Sequence, residues 1–135
     1  MKKGRTQYER IFCDTVVIPY LIGKGHRIIK VNQSLTPAHF KGFKTLSPQA
    51  DVSSICKGII YITEVKMGAY SEQIQMAVGQ LIFHQFVHQS QNHNGVMYQI
   101  AFPATCFCRG YFSLELTKFL HELEIDIIFL DYPII

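Results

Sequence analysis

From Gln73 to Cys108 this chain carries no Asp, Glu, Lys or Arg. A stretch that long without a formal charge implies enclosed structure, because exposed helices and strands normally carry ionised side chains on their wet face. Long hydrophobic runs are also absent. No segment approaches the roughly 20 apolar residues that a membrane helix needs, so no membrane partner is expected. The start, Met1-Lys2-Lys3-Gly4-Arg5, is basic but lacks the apolar stretch of a secretory signal. Cysteines are few. Cys13, Cys56, Cys106 and Cys108 lack the spacing of a disulfide framework, which points to reduced thiols and a cytoplasmic setting. Cys106-x-Cys108 is one close pair where a structural zinc site wants two, so core thiols are the better account. His84 and His88 stand four apart, but Gln85 occupies the place of the glutamate in a metalloprotease HExxH helix, which excludes that chemistry. Internal repeats, low-complexity segments and linkers are missing too.

What is present fits one domain over 1–135. A chain of 135 residues can bury roughly two-thirds of its unfolded surface. An apolar fraction of 48% supplies the core. Thr6 to about Leu21 has helical spacing, with Pro19 as an end or a kink. His26–Val31 reads as a first strand, and 32–48 as an irregular loop suited to contacting a partner. Strands at about 50–55 and 59–66 form a hairpin through Cys56-Lys57-Gly58. Ser71 caps a long helix to about His88, apolar nearly all round and therefore expected to be buried. Within it Gln73, Gln80 and His84 share a narrow angular sector, and buried amides need partners. Val96–Phe102 is a fourth strand closed by Pro103, Ser113 caps a helix to about Leu123, and Ile125–Leu130 is a final strand. The order α-β-β-β-α-β-α-β implies an α/β fold, a mixed β-sheet with helices on both faces.

The hairpin carries the chemistry. Ile59–Val65 is β-branched and aromatic, so it reads as a buried strand with Glu64 and Lys66 projecting to one side and Val65 to the other. The turn brings Asp51 back beside them. Two carboxylates in a small space must shift a pKa or hold a cation, and Mg²⁺ suits one or two carboxylates completed by waters and phosphate oxygens. Such a metal activates water and offsets charge at a phosphorus centre, and the Lys66 ammonium would assist. The implied reaction is hydrolysis of a phosphodiester. Two plainer readings stand beside this one: Glu-x-Lys as solvated charges on a strand, and Asp51 as a turn residue.

Asp51, Glu64-Val65-Lys66 and their hairpin resemble the signature of the PD-(D/E)XK, or restriction-endonuclease-like, nuclease superfamily. The proline usually beside the first acid is displaced to Pro48, with Gln49-Ala50 between. The resemblance spans roughly Gln7 to Asp131. It implies a restriction-endonuclease-like mixed sheet and a Mg²⁺-dependent nuclease, with Mn²⁺ able to substitute. Asp51 and Glu64 would hold the metal, and Glu9, on the first helix, is the candidate for a further acid acting as an outer metal ligand. Lys66 would steady the nucleophile or transition state. Gln80 matches a glutamine that several branches place in the next helix, and His84 stands where the RecB-like branch usually has tyrosine. The iron–sulfur cluster of some RecB-like nucleases needs one cysteine upstream and three downstream, and two and two are present here.

Charge distribution indicates the partner. Residues 1–44 hold nine Lys/Arg against two acids, whereas 111–135 hold one against five. The N-terminal third is the surface expected to face phosphates. DNA is the expected partner, with endonucleolytic, loosely specific cleavage, or a homodimer that cuts two strands. A non-catalytic nucleic-acid-binding or assembly module on the same fold, and an RNA-directed nuclease, are the alternatives.

Overall fold

The β2–β3 hairpin organises the molecule. In the computed structural model, which describes residues 7–33, 49–68, 71–90, 95–104 and 114–131, β2 is Ala50–Cys56 and β3 is Ile59–Val65. Lys57 and Gly58 both take positive φ, 53° and 77°. This is the pairing of signs that two-residue hairpin turns require, because their twist then matches that of the strands. β1 (Arg27–Gln33) adds antiparallel to β2, while β4 (Met97–Pro103) and β5 (Ile125–Leu130) add parallel beyond β3. The sheet order is β1-β2-β3-β4-β5.

Helices cover both faces. α1 (Gln7–Phe12) and α2 (Ile18–Gly23) bury Phe12 and Leu21, with Cys13 and Val17 between them, against Val52, Val65, Ala101 and Leu130. α3 (Ser71–Ser90) and α4 (Leu114–Glu122) bury Ile74, Ala77, Leu81 and Leu120 against Ile62, Tyr98, Ile100, Phe102 and Ile125. Each fully buried aliphatic or aromatic side chain contributes roughly 1.5–3 kcal/mol. The α/β mixed sheet with helices on both faces expected from the element order is therefore the architecture found, and it is consistent with the restriction-endonuclease-like sheet that the resemblance implies.

Several expectations are refined. The N-terminal helix is not continuous: a π-helical turn, Cys13–Val17, separates α1 from α2. Pro19 lies in the first turn of α2, and a widened turn before it relieves the clash between its ring and the carbonyl four residues back. Thr15 Oγ1 donates to the Ile11 carbonyl at 2.6 Å, occupying an acceptor in the preceding turn. β1 runs to Gln33, two residues beyond the expected Val31.

α3 is the clearest correction. It is not enclosed all round: Met76, Ile82, Phe83 and Phe86 are 52%, 40%, 57% and 65% exposed. The helix lies flat on the sheet, so only one side of it is buried, and its apolar outer side faces solvent, with the Phe83 and Phe86 rings stacked 6.4 Å apart. Absence of charge here did not mean absence of water.

Cys13, buried, and Cys56, half-buried, are thiols and not half-cystines. Cys106, Cys108, Pro48, Ser113 and most of the expected DNA-contacting loop lie outside the described residues, as does the Ser71 side chain. Among the described residues no helix is long and apolar enough to cross a membrane.

His26 pins the strand entry to the hairpin. Its Nδ1 lies 2.8 Å from Ser54 Oγ and its ring meets Tyr61 edge-on at 4.5 Å. Burial lowers its pKa below the ordinary 6.5, so the folded state favours the neutral ring. The unfolded chain binds that proton more readily, so the stability His26 contributes is complete above pH 6.5 and drains away as pH falls below it. We expect His26→Gln to flatten the dependence of melting temperature on pH between about pH 7 and 5, followed by circular dichroism. An unchanged slope would show that other groups set it.

Candidate metal and nuclease site

β2 and β3 pair with Val52 opposite Thr63. One step further, where the ladder ends, the same register sets Asp51 beside Glu64. Directly opposed residues of an antiparallel pair have Cβ atoms about 4.5–5.5 Å apart on one face. That face is the one under α3: Glu64 is aligned with Ile100, and Ser53 with Ile62, both of which meet the α3 side. Val52 and Val65 point to the α1–α2 side. Strand alternation thus separates the apolar anchors of the hairpin from its acids.

Asp51 and Glu64 are each 0% exposed and Lys66 is 4% exposed. Asp51 Oδ2 accepts the Val65 N–H at 2.8 Å, which orients the carboxyl group toward the end of β3. The Lys66 N–H donates to the Ala101 carbonyl at 3.0 Å, extending the parallel ladder and keeping Lys66 on the Glu64 side. Gln49 holds the entry to β2: its Nε2 donates to the Asn32 carbonyl at 2.6 Å and to Asn32 Oδ1 at 3.2 Å. Asn32 itself takes a positive φ of 53°. The residue that displaces the motif proline therefore ties the start of β2 to β1. Behind the site Gln99 Nε2 donates to Thr63 Oγ1 at 2.9 Å, joining β3 to β4 on the opposite face.

α3 brings a second set of polar groups down onto this floor. Gln80 is half-buried, and its Oε1 is enclosed without a hydrogen-bond partner among the described residues, as is Ser53 Oγ. Orphaned buried acceptors mark room for a water or a ligand group. One turn on, His84 Nε2 stands 3.7 Å from Glu64 Oε1, both side chains buried. His88, also buried, sits with its ring 5.9 Å from that of His84 and its Nδ1 2.8 Å from the Tyr98 hydroxyl. Burial, and then the charge of Glu124, pushes the Tyr98 phenol well above its ordinary 10, so it stays neutral and serves as a hydrogen-bonding group.

The residue types fit a hard divalent cation: two buried carboxylates at one strand end, a buried lysine two residues on, and an unsatisfied amide oxygen on the helix that covers this face. Glu9 does not join Asp51 and Glu64 in an inner ligand group. Among the described residues no three His, Cys, Asp or Glu side chains come together as a metal-holding group. Glu9 is half-buried on α1, whose core residues pack on the Val52–Val65 side of the sheet, across from Glu64. The same fact rules out a tight Glu64–His84–His88 metal cluster. No partner for His84 follows from the sequence, and the His84–Glu64 contact is set by the docking of α3. What the sequence does show is the i, i+4 spacing of His84 from Gln80 on the buried stripe.

Charge is graded across the sheet. Arg10, Lys24 and Arg27 are exposed, and Lys30 half-buried, on α1, α2 and the β1 edge. Glu115, Glu122, Glu124 and Asp126 lie on α4, the turn after it and the β5 edge. The Asp51–Glu64 pair, on β2 and β3, is nearer the basic edge.

No family model matches the chain, and no curated protein resembles it significantly in sequence. A crystal structure of a repair endonuclease from Pyrococcus abyssi is similar in fold, with a TM-score of 0.58 and 15% sequence identity. The match covers 98% of this chain and 50% of that one, so the chain spans half the length of the protein it superposes on. At that identity the likeness is one of fold.

Proposed function

We propose that this chain is a nuclease domain of the PD-(D/E)XK type that hydrolyses DNA phosphodiester bonds with Mg²⁺, or Mn²⁺ in its place. One observation carries the reading: Asp51, Glu64 and Lys66 are buried together at the end of one hairpin. Support comes from a sheet shared with a repair endonuclease. The cation would activate a water and neutralise charge developing at phosphorus. Asp51 and Glu64 would hold it, with Glu9 outside the inner ligand set.

The remaining roles belong to the chain itself. The Val65 N–H keeps the Asp51 carboxyl in place, so it is pre-organised for a cation. Lys66, held in low dielectric, presents its ammonium to the non-bridging phosphate oxygens, where it acts more strongly than in water. Gln80 Oε1 accepts a hydrogen bond from the attacking water or from a nucleobase edge. Arg10, Lys24, Arg27 and Lys30 guide the phosphodiester backbone from the β1 edge, while the acidic β5 edge repels it.

Supercoiled plasmid incubated with the protein and Mg²⁺ or Mn²⁺ should be cleaved. Glu64→Ala and Lys66→Ala are expected to slow cleavage by about 10²–10³-fold. Retained DNA binding with no cation-dependent cleavage would establish a binding module instead, and preferential cleavage of RNA an RNA-directed enzyme. Neutralising one phosphate-facing cation, for example Arg27→Gln, should weaken DNA binding across sequences and reduce the salt slope by about 1.

Two adjacent buried carboxylates also predict a stability signature. In EDTA, Glu64→Gln should melt about 2–6 °C higher than wild type, because roughly 1 kcal/mol of like-charge repulsion is removed. Mg²⁺ should raise the wild-type melting temperature and leave Glu64→Gln unchanged. A variant less stable than wild type in EDTA would mean that the carboxylates are compensated within the protein.

A further inference from the structure

The solvent side of α3 is built unlike a solvated helix face. Gln75, Met76, Gly79, Ile82, Phe83 and Phe86 recur at three- and four-residue spacing and form one exposed stripe. None of them is charged, and the run without Asp, Glu, Lys or Arg continues to Cys108. Gly79 stands at the centre of the stripe, near the middle of a 20-residue helix. Glycine is a poor helix former, and no packing within the chain requires it here. A Cβ at Gly79 would meet nothing within 4 Å beyond its own turns of helix. What its smallness permits is close approach from outside, because two helix axes come as near as the side chains at their crossing allow.

Charge decides the class of occupant. Phosphate backbones and anionic lipid surfaces are met by Lys and Arg, which this stripe lacks, so a protein surface fits it best. Symmetry narrows the choice to a second copy. A two-fold contact sets one surface against itself, where any excess charge of one sign would repel, and an uncharged stripe carries none. The stripe also reads the same in both directions from Gly79. An axis through that residue, with the helices antiparallel, sets Met76 opposite Ile82 of the second copy and Gln75 opposite Phe83. α4 widens the face: Gln85 Nε2 donates to the Leu123 carbonyl at 2.8 Å, tying the end of α4 to α3, and Phe119 one turn earlier is 57% exposed. At about 200 Å² for each fully exposed side chain, Met76, Ile82, Phe83, Phe86 and Phe119 leave roughly 500 Å² of apolar surface in water. A standard interface buries about 800 Å² per partner, roughly 60% of it apolar, and this face supplies that much. We propose that the outer face of α3 is a two-fold interface through which two copies of this chain pair, their helices crossing at Gly79. The inference does not rest on the metal-dependent reading, since Gln80 and His84 occupy the inner side of the helix.

The test measures mass, without DNA or added cation. The full chain is followed by sedimentation velocity and light scattering from low to high micromolar concentration, with circular dichroism as the check on folding. Wild type should reach twice the 15.5 kDa chain mass and go no further, as a closed pair does. Phe83→Glu, which places an unpaired charge inside the contact, should weaken pairing by about 30-fold or more. Should that variant fail to fold, Phe86→Gln takes its place. Gly79→Leu separates the crossing from the stability of the helix. Leucine is the better helix former and has room within the chain, so where both proteins are monomeric this variant should melt no lower than wild type. It should nevertheless pair about tenfold or more weakly, because the added side chain holds the helices apart. A wild type that stays monomeric throughout, a species that grows beyond two copies, or a dimer that either folded variant leaves intact overturns the inference. None of these outcomes bears on cation binding at Asp51 and Glu64.

Discussion

Two carboxylates buried side by side constitute the constraint around which this molecule is arranged. Asp51 and Glu64 lie at the end of the β2–β3 ladder, both sealed from solvent. Like charges in a low-dielectric setting are unfavourable by several kcal/mol unless a counter-charge meets them. Lys66 brings a positive charge to the same hairpin end, and the Val65 N–H gives Asp51 a hydrogen bond. The surrounding structure keeps that arrangement from relaxing: Val52 and Val65 anchor the hairpin from beneath, and Gln49 ties its entry to β1.

The two layers of helices divide the labour. α1, α2 and the π-helical turn between them build an apolar layer on one face with Phe12, Val17 and Leu21. α3 covers the face that carries Asp51 and Glu64, and its inner side alternates core residues with Gln80, His84 and His88. Its outer side is apolar and wet, carrying Met76, Phe83 and Phe86. A helix without charge can therefore be half exposed, and here the missing charges reflect what its inner side must contact.

Much of the fold was legible because it depends on local periodicity. The β-branched run Ile59–Val65, the Lys57-Gly58 turn and the Ile125–Leu130 strand were all visible as residue patterns, since strand alternation and turn conformation are decided within a few residues. The π-helical turn at Cys13–Val17 was not visible, because widening depends on how the helix seats Phe12 and Val17 on the sheet as well as on Pro19. The exposure of Phe83 and Phe86 was misread for a similar reason: composition reports what a residue prefers, and packing geometry decides which side of a helix finds a partner.

For the candidate site the division is equally physical. Glu64 and Lys66 share a face because side chains in a strand alternate, and Asp51 rejoins them because a two-residue turn closes the hairpin; both relations are short in sequence and follow from the residues alone. That the core residues of α1 pack on the face opposite Glu64, and that His84 comes within 3.7 Å of Glu64, was decided only by tertiary structure. Those relations link α1 and α3 to β3, elements far apart in the chain, and depend on which face each helix packs and on the register at which it docks, quantities that no local pattern encodes.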